Sequence, residues 1–102
     1  ADIGLADESV DAVLLHDVLH SYYFTMQEIP PILVEVRRVL EPEGFISFYP
    51  GDADSAGNTG ELRILREAIE ASGFFLDFEY EGNVVHERRI MPGHVFKYRR
   101  VR

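Results

Sequence analysis

The sequence predicts an α/β domain in which two parallel strands, connected by crossover helices, are followed by an antiparallel pair of strands. A short apolar run, Val10 to Leu15, is typical of a strand that is covered on both faces. Two stretches with apolar residues at helical spacing alternate with such runs, an order that is typical of parallel sheets. Near the C-terminus the apolar period changes to two, which indicates strands without a helix between them.

The first helix is expected to begin near Pro31, because Pro30 and Pro31 disfavour helix in the residues before them. Its apolar face consists of residues at helical spacing: Ile32, Leu33, Val36, Val39 and Leu40. The segment 41–44 is expected to end the helix, since Pro42 cannot continue the hydrogen-bond ladder and Gly44 tolerates a positive φ. A second strand is then predicted over Phe45 to Tyr49.

The second helix is predicted over Glu61 to Ser72, with Thr59 as its N-cap and Gly73 in a left-handed position at its end. Alternation over Phe74 to Tyr80 then indicates a strand with one wetter face. Turn signals at 82–83 and 92–93 separate this strand from a short irregular strand and from a final strand, His94 to Arg99.

Composition excludes several classes of protein. The chain has 102 residues, which corresponds to a single domain over 1–102. The net charge of −8 argues against general nucleic-acid binding, although the last 15 residues carry six basic groups and no acidic one. No apolar run approaches the length of a membrane span, and the absence of cysteine excludes disulfides and thiolate chemistry. A cytoplasmic location is therefore expected.

Three stretches, taken in order, carry a resemblance to a known family. Residues 7–20 resemble the fourth-strand motif of class I S-adenosylmethionine-dependent methyltransferases. Leu33 to Ser47 is similar to the helix, turn and fifth strand of that family, and Leu62 to Phe74 is similar to the helix before its last two strands. The resemblance implies a partial Rossmann-like methyltransferase sheet and S-adenosylmethionine as the cofactor.

One part of the family pattern has no match in this sequence. The family holds its cofactor on a glycine-rich loop after the first strand, and the cluster Gly51, Gly57 and Gly60 follows the wrong strand for that role. The resemblance therefore implies the C-terminal half of the fold, which supplies the substrate side and is expected to be inactive alone. A first residue other than Met is consistent with a truncated, cleaved or naturally short chain.

The resemblance also implies where chemistry takes place. His20 and Asp17 match positions beside the substrate, so we predict that they are catalytic, with His20 taking a proton from the methyl acceptor. His16, Asp2 and Ile3 match cofactor-side positions. The aromatic residues at 22–24 line either a substrate pocket or the core.

Two alternatives remain open from the sequence. His16 and His20 also resemble a metal-hydrolase motif, which requires both residues on one helix and a third ligand such as His86 or His94; Asp52 and Asp54 are either cation ligands or turn formers. The chain is alternatively a non-catalytic dimerisation or interaction module. In either case the edge of strand 10–15 needs a partner, which is a second copy or the missing N-terminal half.

Overall fold

The computed structural model describes residues 3–16, 27–51, 59–86 and 88–101. Its elements follow the predicted order of strand, helix, strand, helix, strand, strand. They are β1 (Val10–His16), α1 (Ile29–Val39), β2 (Leu40–Tyr49), α2 (Thr59–Ala71), β3 (Phe74–His86) and β4 (Arg89–Arg100). The four strands form one sheet in the order β1-β2-β4-β3, which confirms the predicted α/β architecture. Within the described residues, no helix has the length and apolar character needed to cross a membrane.

The sheet contains one more antiparallel pairing than the sequence predicted. β1 and β2 are parallel, whereas β4 is antiparallel both to β3 and to β2. The sequence indicated the hairpin of the last two strands and therefore one such pairing. The second arises because β4 inserts between β2 and β3, a placement that depends on long-range packing.

The predicted turns at 82–83 and 92–93 are wrong. Gly82 pairs with Gly93 and Asn83 pairs with Pro92, so these residues lie inside a hairpin whose pairing continues to His86 and Arg89. A Cβ atom on Gly93 would lie 2.6 Å from the Val84 side chain and 2.8 Å from that of Tyr49. Glycine at position 93 therefore permits a close approach between strands and does not make a turn.

The start and end of α1 also differ from the prediction. The helix begins at Ile29, with the two prolines in its first turn, where a missing N–H costs no hydrogen bond. It ends directly in β2 at Leu40. Gly44 lies inside β2 without a positive φ, and a Cβ there would lie 2.8 Å from Leu40 Cδ2. Gly44 is therefore required for space, not for a turn.

Both helices pack on one face of the sheet. The core that they form with the strands is fully buried, and it includes Leu33 and Val36 of α1, Leu65 and Ile69 of α2, Ile46 and Phe48 of β2, and Phe96 and Tyr98 of β4. The residues on the opposite face lie in register with one another: Leu14 pairs with Ser47, Ser47 with Lys97, and Lys97 with Phe78. We call this the open face, because no described helix covers it. Leu14 on it is 67% exposed and Phe78 is 46% exposed.

Gly73 occupies the left-handed position predicted for it, with φ +95°. Replacing Gly73 with alanine should lower the free energy of unfolding by about 1–2 kcal/mol, because of the unfavourable φ and because the new Cβ would lie 2.5 Å from Arg37 Nε. Urea denaturation measures the change. Gly60→Ala is the matched control, since nothing lies within 4 Å of a Cβ there, and it should be neutral or slightly stabilising. Equal losses in the two variants would contradict this account.

Candidate functional site

His16 is the last residue of β1 and lies on the open face. Its Nε2 is 2.9 Å from the Ser47 Oγ, and its ring meets the edge of the Tyr49 ring at a centroid distance of 6.1 Å. The parallel register brings the three together, since Leu14 pairs with Ser47 and His16 pairs with Tyr49. Ligands of α/β proteins bind at the carboxyl ends of parallel strands, and this cluster lies at that end.

The environment of His16 favours its neutral form. Partial burial lowers the pKa of His16 below its usual value of 6.5, because burial penalises the charged imidazolium. At neutral pH one ring nitrogen is therefore a donor and the other an acceptor, and the Ser47 hydroxyl serves as partner to either tautomer. The pair presents a proton acceptor with a fixed ring orientation at the end of β1.

Ile3 lies at the other end of β1 from His16. Its backbone N–H donates to Glu35 Oε1 at 3.2 Å, and Arg38 donates to both Glu35 and Asp7. The Arg38 hydrogen bond holds the pKa of Glu35 at about 2, so this anchor stays ionised at neutral pH. Because α1 runs directly into the start of β2, which is parallel to β1, the anchored loop lies at the entry end of β1. The structure therefore does not bring Ile3 and His16 together.

Several residues singled out in the sequence lie outside the described residues. They are Asp2, Asp17 and His20 of the predicted site, the aromatic residues 22–24, and Asp52 and Asp54. Their roles stay predictions.

The geometry at His16 does not provide what the metal-hydrolase alternative requires. His16 belongs to a strand, whereas two ligands four residues apart face one metal only on a helix. His94 stacks on Phe96 at 4.8 Å on the helix-covered face, opposite the face of His16. No group of three potential ligands that could hold a metal occurs among the described residues.

Sequence reasoning missed two residues of the open face, one that contacts His16 and one two strands away from it. The only sequence feature that distinguishes Ser47 is that it is the one polar residue in the apolar run Phe45 to Tyr49. Lys97 gave no signal: its Nζ lies 4.3 Å from the centroid of the Phe45 ring and 5.2 Å from that of the Phe78 ring, which come from two different strands. Both residues acquire their neighbours through strand register.

Comparison with known proteins identifies the kind of fold. Residues 1–48 match the family model described as "Methyltransferase domain". No curated protein sequence matches the chain.

Solved structures resemble nearly the whole chain. One is an S-adenosylmethionine-dependent methyltransferase from Methanosarcina mazei, with a TM-score of 0.72 at 15% sequence identity. The match covers 98% of this chain and 63% of the methyltransferase. A putative DNA modification methylase from Thermus thermophilus has a TM-score of 0.65 at 15% identity, covering 97% of this chain and 48% of its own. The [4+2]-cyclase SpnF has a TM-score of 0.59 at 14% identity, covering 98% of this chain and 54% of its own.

The architecture and these likenesses define the class of fold. The sheet, with parallel strands followed by a reversed one, is a partial Rossmann-like sheet. More particularly, the sheet and its two helices have the fold of part of a class I methyltransferase. The chain spans between about half and two-thirds of the length of these three structures. The presence of a cyclase among them shows that this fold alone does not fix the reaction.

Proposed function

We propose that the chain forms the acceptor side of an S-adenosylmethionine-dependent methyltransferase and is inactive alone. The observation that carries the proposal is the neutral His16, which contacts Ser47 at the carboxyl end of β1 in a methyltransferase fold. A methyl acceptor with an O–H or N–H group must lose a proton during the reaction. A neutral imidazole with a fixed orientation is suited to receive it.

The described residues fit the acceptor side of such a site and only the part of the cofactor site that lies at the end of β1. S-Adenosylmethionine, when bound, supplies a methyl group on a positively charged sulfur. A glycine-rich turn after a strand, which would hold it by close backbone approach, is not found among the described residues. We therefore assign to this chain the orientation of the acceptor and the removal of its proton. His16 would lie where the cofactor and the acceptor meet, with Asp17 and His20 as further catalytic residues. Asp2 and Ile3 would form a separate cofactor-side contact at the other end of β1.

The test is a titration of the purified chain with S-adenosylhomocysteine, followed by NMR of the histidine rings. We expect saturable shifts of the His16 resonances, because His16 lies at the proposed site, and no shift at His94, which lies on the opposite face. His16→Gln should weaken the binding. Incubation with S-adenosylmethionine and no other protein should give no methyl transfer.

Two results would contradict the proposal. One is the absence of binding by calorimetry together with unchanged His16 resonances. The other is equal affinity in the wild type and in His16→Gln, which would place the ligand elsewhere.

We also propose that a second copy of the chain covers the free edge of β1, in a cytoplasmic dimer. Of the described strands, β1 pairs with β2 alone, and Leu14 in its centre is 67% exposed. An apolar edge of this kind favours association. The exposed β1 edge also supports the alternative that the chain is a dimerisation module without catalytic function. The titration with S-adenosylhomocysteine distinguishes the two, because only the methyltransferase should bind it.

A further inference from the structure

A cavity of about 340 Å³ lies on the open face beside the candidate site. It is lined by Phe45, Ser47, Phe78, Tyr80 and Lys97. Its volume falls within the lower range of small-molecule sites. Ser47 belongs both to this cavity and to the contact with His16, so the cavity and the imidazole share one side chain.

The charge of Lys97 has no anionic partner among the described residues. Its ammonium group is held over the Phe45 ring at 4.3 Å and near the Phe78 ring at 5.2 Å, which positions it by cation–π attraction. By contrast, Arg99, two residues further along β4, pairs with Asp77 at 2.9 Å. The protein has 18 acidic residues, yet the described neighbours of the Lys97 ammonium group are aromatic rings and not carboxylates. An anion that brings its own apolar surface would complement it.

We propose that this cavity binds the methyl acceptor and that the acceptor is a planar aromatic monocarboxylic acid, an inference that rests on the proposed function. The carboxylate would pair with Lys97, and the ring would pack against Phe45 and Phe78. A single ammonium group matches one negative charge, which favours a carboxylate over a doubly charged phosphate. The net charge of −8 further disfavours a polyanion.

The distance between Lys97 and His16 limits the size of the acceptor. Lys97 is on β4 and His16 is on β1, two strand spacings away, which is about 10 Å. His16 also lies two residues beyond Leu14, which is in register with Lys97, so the two Cα atoms are about 12 Å apart. An acceptor whose carboxylate reaches Lys97 would therefore place its hydroxyl or amino group near His16 if about two fused rings separate the two groups. This predicts a bicyclic acid or one of similar length.

The probe is 6-hydroxy-2-naphthoate, whose fluorescence can be followed because the chain contains no tryptophan. The wild-type chain should bind it, and the neutral 6-hydroxy-2-naphthamide should bind at least tenfold more weakly. Lys97→Gln should lose at least tenfold in affinity for the acid, whereas Lys97→Arg should retain most of it. Arg63→Gln removes an exposed cation of α2 and should leave the affinity unchanged. Circular dichroism confirms that each variant is folded.

Several outcomes would overturn the inference. The first is equal affinity for the acid and the amide, or an affinity that Lys97→Gln leaves intact. The second is no binding of the naphthoate by a chain that binds S-adenosylhomocysteine through His16, a result that would leave the proposed function standing. The third is a dimer that excludes the naphthoate and that Phe78→Asp dissociates, which would show that a second copy fills the cavity. Lys97-dependent naphthoate binding without S-adenosylhomocysteine binding would overturn the proposed function and would leave the cavity as a carboxylate site whose ligand is not a methyl acceptor.

Discussion

Replacing Phe48 with alanine should lower the free energy of unfolding by about 3–5 kcal/mol, the usual cost of removing a fully buried aromatic ring. Phe48 is 0% exposed, lies in β2 between β1 and β4, and packs on Phe96 with ring centroids 6.0 Å apart. Phe48 belongs to one buried core with residues of both helices and of the hydrogen-bonded sheet, so its neighbours can close the cavity only in part. Because small domains have total stabilities of about 5–15 kcal/mol, this loss is a large fraction of the whole.

Phe45→Ala is the matched control for Phe48→Ala, because it removes the same side chain from the same strand. Phe45 faces the opposite side of the sheet and is only partly buried, so its loss should cost less than half as much. Urea unfolding followed by circular dichroism measures both variants. Similar losses would show that the open face is as well packed as the helix-covered face, contrary to the structure.

The elements that were predicted well are those that local pattern determines. The apolar face of α1 buries residues at a regular spacing, so the period reveals both the helix and its inner face. The run Val10 to Leu15 is a strand as predicted, but the prediction that both of its faces are covered is wrong: Leu15 is buried and Leu14 is 67% exposed. The left-handed Gly73 was also predictable, since a glycine directly after an apolar stripe marks a helix end. Each of these features depends on neighbours within a few residues.

The failures have a common cause, which is contact between distant residues. Gly93 and Pro92 are typical turn residues, yet both lie in β4, where position 93 needs glycine because Val84 and Tyr49 occupy the space of a Cβ atom. Gly44 is likewise retained because Leu40 and the Asp11 carbonyl lie close to it. The sequence shows that glycine is present at these positions but not whether conformation or space requires it.

The candidate site likewise contains one residue that local sequence predicts and two that depend on contacts between distant strands. His16 was found through a motif contained within one segment. Ser47 and Lys97 were not, because their roles come from the register Leu14–Ser47–Lys97–Phe78, which crosses four strands. No spacing along the chain encodes that row of residues.

The two edges of the sheet differ in their protection against association. β3 carries Asp77, Glu79 and Glu81 and has a register shift between Leu76 and Phe78, and both features discourage edge pairing. β1 has no charged residue between Ala12 and Leu15, and its register with β2 is regular there. Association through β1 is therefore favoured over association through β3.

Replacing Leu14 with lysine should dissociate the dimer that we propose. If two copies of β1 pair antiparallel about a two-fold axis at Val13, each Leu14 lies opposite Ala12 of the other copy, and the two Leu14 side chains are diagonal neighbours on one face. Burying a leucine contributes about 1.5–3 kcal/mol, and Leu14 is 67% exposed in the single chain. Two lysines would lose this contribution and repel each other, so the dissociation constant should rise by at least tenfold.

Sedimentation equilibrium at micromolar concentration measures the effect of Leu14→Lys. Val34→Lys is the control, because Val34 is 60% exposed on α1, away from the β1 edge, and its replacement should leave the mass unchanged. The exposure of Leu14 means that the folded single chain loses little from the substitution, so a change in mass reports association and not unfolding. A wild-type chain that sediments as a monomer would contradict the dimer. A dimer that persists in Leu14→Lys would place the contact on another surface, which Phe78→Asp on the open face would then identify.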